Sequence, residues 1–276
     1  MHRIRGETQH YGRAHRFFRT HTLDHRRAGG SRLLSAGQHV VLRTVFLVYT
    51  LAAWIASIVL DAQSGQMSGH FVYFTYLCYT GLLAYLAASL FHTVQLWRGR
   101  DGSFGSMAHV LQLLHWLLFA SALLFATVVS VVFWAVIYKA DTYRGVHRWV
   151  NASVHGTNIA IMWVDSLVGA MVFCPHWSHP LVLALLMALY LALAYVNAAI
   201  NGWFTYDFIN YKVHGAKEAP ILIGMLLGIF VLYYVLYGVH VLLDRLLPPR
   251  FMRGKYSVDE EDCCSDTDEL GVKQVY

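Results

Sequence analysis

The chain has few charged residues, few cysteines and few prolines for its length of 276 residues. Asp, Glu, Lys and Arg together make up only 13% of it, whereas hydrophobic residues make up 57%. This balance excludes an ordinary soluble domain and an intrinsically disordered chain. The four cysteines form no CxxC pattern, which argues against a disulfide framework and against a structural zinc site. Most of the chain therefore belongs in a membrane, and no nucleic-acid partner is expected.

Six long apolar stretches dominate the sequence. Each is long enough, at about 1.5 Å per residue, to cross a hydrocarbon core of about 30 Å as a helix. Helices are indicated because backbone amides in lipid must be satisfied within their own segment, and the alternation of barrel strands is missing. We predict an all-α polytopic membrane protein, a six-transmembrane-helix bundle spanning residues 44–245. Its predicted helices cover 44–60, 71–94, 108–138, 153–174, 180–203 and 219–243.

The two ends of the chain carry opposite charge. Residues 1–43 hold nine arginines and predict a disordered basic cytoplasmic arm, whereas residues 246–276 predict a disordered acidic cytoplasmic tail. Cys263 and Cys264 in that tail are candidates for acylation. Sixteen of the 21 Lys and Arg residues fall on the side of the termini, which favours cytoplasmic N- and C-termini. The expected location is a plasma membrane or an endomembrane.

A polar face is predicted on the fourth span. His155, Asn158 and Asp165 recur at helical spacing there, and Asp165 is the one acidic residue within the six predicted spans. Such a face should point into the bundle because ionisable groups are costly in lipid. Two interpretations stay open, interhelical hydrogen bonding and a functional site.

Thr75 in the second span should lie at the same depth as His155. The two spans run in the same direction, and both residues fall within about four residues of the predicted start of their span. A hydroxyl beside an imidazole has the parts for covalent acyl transfer, since the imidazole can take the hydroxyl proton. The alternative is that Thr75 bonds back to the carbonyl one turn earlier, as most threonines within helices do.

Three short motifs carry a family resemblance. They are Phe74-Thr75-Tyr76, the segment 154–158 with Asp165 beyond it, and the segment 201–206 at the end of the fifth span. Their order and placement resemble the androgen-induced-gene and androgen-dependent-TFPI-regulating-protein family of transmembrane threonine hydrolases, which includes rolling-stone-like proteins. The resemblance covers about residues 40–245. Asp207 departs from it, because many relatives have proline there.

The resemblance implies an integral-membrane lipid ester hydrolase that needs no cofactor and no metal. Carried over by position, Thr75 is the nucleophile and His155 is its base, with fatty acid esters of hydroxy fatty acids as the implied substrates. Asn158 and Asp165 match the pattern around the histidine. Our hypothesis is that they orient the imidazole or stabilise an oxyanion, although Asp165 lies about 15 Å along the helix from His155 and is better placed for helix packing.

Two other classes of function remain as alternatives. One is a non-enzymatic, rolling-stone-like membrane adaptor or cell-fusion protein whose tails bind partners. The other is haem binding, in which His92 pairs with His109, His115 or His240 near the cytoplasmic face.

Overall fold

The computed structural model describes residues 17–19, 24–100, 103–138 and 144–252. These residues fold into helices joined by short loops, and the described ranges contain no β-strand, only an isolated bridge between Ser31 and Gly169. The predicted all-α membrane bundle is confirmed. The main helices are α1 (Ala36–Gln63), α2 (Phe74–Trp97), α3 (His109–Val132), α4 (Gly145–Ala152), α5 (Asn158–Val168), α6 (Ser178–Asn201) and α7 (Glu218–Leu246).

Five helical stretches among the described residues are long and apolar enough to cross a membrane. They are Ala36–Gln63, Phe74–Trp97, His109–Ile137, Ser178–Asn201 and Tyr211–Leu246. Large apolar side chains on their outer surfaces are exposed, as on Val45 and Val48 of α1 and on Leu185 and Leu189 of α6. Such surfaces suit lipid, because an aqueous protein rarely exposes apolar patches of this extent.

The predicted fourth span differs most from the structure. The helical stretch there begins earlier, at Gly145, and ends at Val168 rather than at residue 174. It consists of α4, a π-helical turn (Ser153–Thr157) and α5. Gly169 has extended backbone, and a Cβ on it would lie 2.6 Å from the Asp165 carbonyl oxygen. The apolar residues 170–174 are buried by the protein and form no helix, so their hydrophobicity reflects a protein core.

The boundary predicted at residue 43 for the basic arm also differs. α1 begins at Ala36, behind a Ser35–Gln38 capping box, and residues 24–35 pack against the end of the bundle. The Arg27 and Arg32 guanidinium groups both pair with the Asp244 carboxylate of α7, at 2.7 and 2.5 Å. These ion pairs order a stretch whose composition predicts disorder. Residues 1–16 and 253–276, including Cys263 and Cys264, lie outside the described residues.

Candidate active site

Thr75 lies in the first turn of α2, where it is 7% exposed. Its Oγ1 atom is 3.1 Å from Nε2 of His155. Other helical threonines behave differently: Thr44, Thr80 and Thr127 each donate to the carbonyl four residues earlier, at 2.8–2.9 Å. Thr75 instead directs its hydroxyl across the helix interface. The two side chains that the sequence predicts at matched depth therefore touch.

His155 sits in the π-helical turn between α4 and α5. Its Nδ1 atom is 3.1 Å from the Asn151 carbonyl oxygen, which can only accept a hydrogen bond. Nδ1 therefore carries the proton, and Nε2 of the neutral ring presents a lone pair to the Thr75 hydroxyl. π-helical turns are rare and recur at functional sites. Here the wider turn helps to set the ring towards α2.

A second π-helical turn, Phe133–Ile137, extends α3 on the other side of the imidazole. The Phe133 ring stacks on the His155 ring with centroids 3.7 Å apart and planes 17° apart. The Trp134 indole N–H donates to the His155 carbonyl oxygen at 3.0 Å. The imidazole is thus fixed on one face by an aromatic ring and at one nitrogen by the backbone, as a base must be to meet a hydroxyl repeatedly.

Tyr206 completes the surroundings of Thr75. It lies in the loop after α6, and its hydroxyl lies close to the Thr75 side chain and backbone. Burial raises the pKa of Tyr206 to about 12. At neutral pH the group is therefore an O–H donor beside the threonine oxygen.

Two cavities of different character meet at these residues. A polar one of about 280 Å³ is lined by His155, Asn151 and Asp61 among others. A narrow apolar one of about 40 Å³ lies on the opposite side, against Met187 and Tyr190. Both are lined by Thr75, Phe133, Ile137 and Tyr206. The hydroxyl of Thr75 therefore stands at the boundary between a polar and an apolar space.

A third and larger apolar cavity adjoins the narrow one. It has a volume of about 330 Å³, lies between α2, α3 and α6, and shares Phe74 and Tyr190 with its narrow neighbour. Gly81 lines it, and a Cβ at that position would meet nothing within 4 Å. Together the two apolar cavities have the chemistry to hold a hydrocarbon chain whose ester group reaches Thr75.

Asn158 is buried but does not touch the imidazole. Its Oδ1 atom accepts hydrogen bonds from the Ser130 hydroxyl at 3.1 Å and from the Ile159 N–H at 2.7 Å. The bond from Ser130 joins α5 to α3. The orienting contact to His155 comes from the Asn151 carbonyl, which sequence reasoning did not identify.

Asp165 belongs to a separate buried network. Its carboxylate accepts from Nε and NH2 of Arg43, at 2.8 and 3.1 Å, and from the Tyr85 hydroxyl at 2.6 Å. The imidazole of His39 is 3.8 Å away. Asp165 and Arg43 are both fully buried. Asp165 therefore ties α5 to α1 and α2 and makes no contact with His155.

Three of the histidines considered for haem, His92, His115 and His240, are packed against one another or against the protein. The rings of His92 and His115 are 5.0 Å apart and edge to face, and Phe104 contacts both. His240 bonds to Ser166 at 2.8 Å. Haem ligation by two histidines requires a porphyrin between the rings. The pair His92 and His115 leaves no room for one.

No protein-family model matches the chain, and no curated protein or solved structure is significantly similar to it. The site must therefore be interpreted from its own geometry. Tyr206 ends the motif 201–206, where the sequence favours an aromatic of the membrane interface and predicts no contact with Thr75. The signal that could have found it is its position directly after the fifth span, at the same membrane face as Thr75.

Proposed function

We propose that the protein is an integral-membrane lipid ester hydrolase in which Thr75 is the nucleophile and His155 is the general base. The observation that supports this most is the 3.1 Å contact between Thr75 Oγ1 and His155 Nε2, with Nδ1 held by a backbone carbonyl. A hydroxyl, an oriented base and an adjoining cavity are the parts that acyl transfer needs.

In the acylation step, His155 Nε2 takes the Thr75 proton while Oγ1 attacks the ester carbonyl carbon. The tetrahedral intermediate collapses, and the imidazolium returns the proton to the departing alcohol oxygen. This leaves an acyl ester on Thr75. The Asn151 carbonyl accepts from Nδ1–H throughout, in the place where the triad of serine hydrolases has a carboxylate.

In the deacylation step, a water molecule from the polar cavity attacks the acyl carbon. His155 takes one proton from that water and passes it to the Thr75 oxygen as the acyl bond breaks. The products are a fatty acid and the regenerated enzyme. The apolar cavities hold the acyl chain, and the polar cavity receives the alcohol and then the water.

The topology that accompanies this proposal has six membrane crossings and cytoplasmic termini. The stretch from Gly145 to Val168, rather than 153–174, is then the fourth crossing. The site lies near the end of the bundle opposite to residues 24–35, and hence in the outer or lumenal half. The substrates are fatty acyl esters, among which esters of hydroxy fatty acids are those that the family resemblance suggests.

The proposal is tested by hydrolysis of lipid esters and p-nitrophenyl esters by the purified protein in detergent. Thr75→Ala and His155→Gln should each lower kcat by at least 100-fold, whereas Thr75→Ser should retain measurable turnover. Thr44→Ala is the matched control, because Thr44 lies on an exposed part of α1 and bonds only to its own helix. The adaptor class would be favoured if the wild-type protein had no esterase activity. It would also be favoured if tail deletions abolished a cellular function that Thr75→Ala preserves.

A further inference from the structure

The N-terminus of α2 lacks the usual side-chain cap. Its N-cap residue, Tyr73, makes no capping hydrogen bond, although the first N–H groups of a helix have no partner within the helix. Two tyrosine hydroxyls from α6 and the loop after it stand in this place. The Tyr206 hydroxyl lies close to the Thr75 backbone, and the Tyr190 hydroxyl lies close to the Phe74 backbone.

Two hydroxyls in this region are incompletely bonded. Tyr190 is only 6% exposed, yet its hydroxyl makes no well-formed hydrogen bond, and the same holds for the Thr205 hydroxyl beside it. A buried polar group without a partner destabilises the folded protein. Tyr190 lines the same cavity as the nucleophile, so its unpartnered hydroxyl indicates that a polar atom is to be bound there.

The atom that fits is the oxygen of a tetrahedral intermediate. When Thr75 Oγ1 bonds to an ester carbonyl carbon, the former carbonyl oxygen becomes an oxyanion attached to that same carbon. A donor within reach of Oγ1 is thereby close to the oxyanion. Tyr206 and Tyr190 line the narrow apolar cavity together with Thr75, where little water competes for the charge.

We infer that Tyr206 is a further catalytic residue that donates its O–H to the oxyanion. Tyr190 and the N-terminus of α2 support this donor from the side of the Tyr206 oxygen. This inference rests on the function proposed above. It extends that function from nucleophile and base to the group that stabilises the transition state.

The helix strengthens the donor. When the Tyr206 oxygen accepts from the Thr75 N–H, at the positive end of α2, its own O–H becomes more polarised. Tyr190 can also donate to the Tyr206 oxygen, which polarises the Tyr206 O–H further. The negative charge that develops on the substrate is then spread over a chain of hydroxyls that ends on the helix N-terminus.

The decisive variant is Tyr206→Phe, which removes one oxygen and keeps the ring. We expect kcat for ester hydrolysis to fall about 100- to 1,000-fold, as for the loss of one oxyanion donor elsewhere, with KM changed by less than about threefold. Tyr190→Phe, which removes a supporting group, should lower kcat by about tenfold. Tyr211→Phe is the matched control, because Tyr211 is 51% exposed on the same side of the bundle.

A second measurement uses the unaltered protein. A thionoester places sulfur, a poor hydrogen-bond acceptor, where the oxyanion would form. The ester-to-thionoester rate ratio should exceed the ratio for hydroxide in solution by at least tenfold, and in Tyr206→Phe it should fall back towards the solution value. The wild-type ratio tests for an oxyanion donor even where a variant fails to fold, and its change in Tyr206→Phe assigns the donor to Tyr206.

The outcomes separate the two proposals. Wild-type activity that depends on Thr75 but is unchanged in Tyr206→Phe, or a thionoester ratio equal to that of hydroxide, overturns the oxyanion role and leaves the nucleophile in place. A rise in KM with unchanged kcat also overturns it, since that is the effect of lost ground-state binding. Absence of Thr75-dependent activity in the wild type overturns both.

Discussion

Replacing Asp165 with asparagine should weaken the fold and spare the chemistry. The change removes the charge that neutralises Arg43, which is fully buried. Breaking a buried ion pair from one side typically costs about 3–5 kcal/mol, because the remaining charge has no counter-ion. Arg43 NH1 still donates to the Ala28 and Ser89 carbonyl oxygens and to the Thr93 hydroxyl, at 3.1, 3.1 and 2.7 Å. We therefore expect the lower end, about 3 kcal/mol.

The assay is thermal unfolding of purified protein in one detergent, combined with hydrolysis measured well below the transition. A loss of about 3 kcal/mol should lower Tm by about 6–12 °C for a bundle of this size. The folded fraction should retain wild-type kcat, because Asp165 makes no contact with His155. The double variant Arg43→Met with Asp165→Leu should recover most of the lost stability, since the orphaned charge is then gone.

Two results would refute this reasoning. If Asp165→Asn lowered kcat 100-fold with Tm unchanged, the carboxylate would be acting on the imidazole and the separation of the two networks would be wrong. If the double variant were no more stable than Asp165→Asn, the cost would not come from an unpaired Arg43.

Three further predictions concern the site itself. Gly81→Leu should fill the larger apolar cavity and lower kcat/KM for long-chain esters at least tenfold while sparing acetate esters. Its control, Gly224→Leu, also adds a side chain where nothing lies within 4 Å. This control should leave kcat/KM unchanged for both long-chain and acetate esters. Because burial raises the pKa of Tyr206 above that of free tyrosine, its O–H persists in alkali, and the kcat of wild-type protein should show no loss between about pH 8 and pH 10. Phe133→Leu should lower kcat several-fold by removing the ring stacked on the imidazole, and an unchanged kcat would show that the stacking does not position the base.

The contact between Thr75 and His155 agrees with the depth that the sequence predicts, although the fourth helical stretch begins at Gly145, eight residues before its predicted start. Two parallel spans separated by one antiparallel span place residues at equal distance from their starts at equal depth. The apolar runs predict the helices, because a backbone in lipid must satisfy its hydrogen bonds within its own segment.

Other features depend on contacts between distant segments. Asp165 pairs with Arg43, 122 residues away, and composition places that arginine in a disordered arm. The residues after Gly169 read as membrane helix because hydropathy does not distinguish lipid from a protein interior. Hydrophobic periodicity does not predict the π-helical turns at 133–137 and 153–157, yet these turns orient His155.

The central claim is tested most directly by locating a covalent adduct. Purified protein is treated with a fluorophosphonate carrying a long alkyl chain, and peptide mass spectrometry locates the modified residue. The account predicts a single adduct on the Thr75 hydroxyl, absent in Thr75→Ala and at least 100-fold slower to form in His155→Gln. A wild-type protein that hydrolyses esters yet carries its adduct elsewhere, or one that forms none, would contradict it.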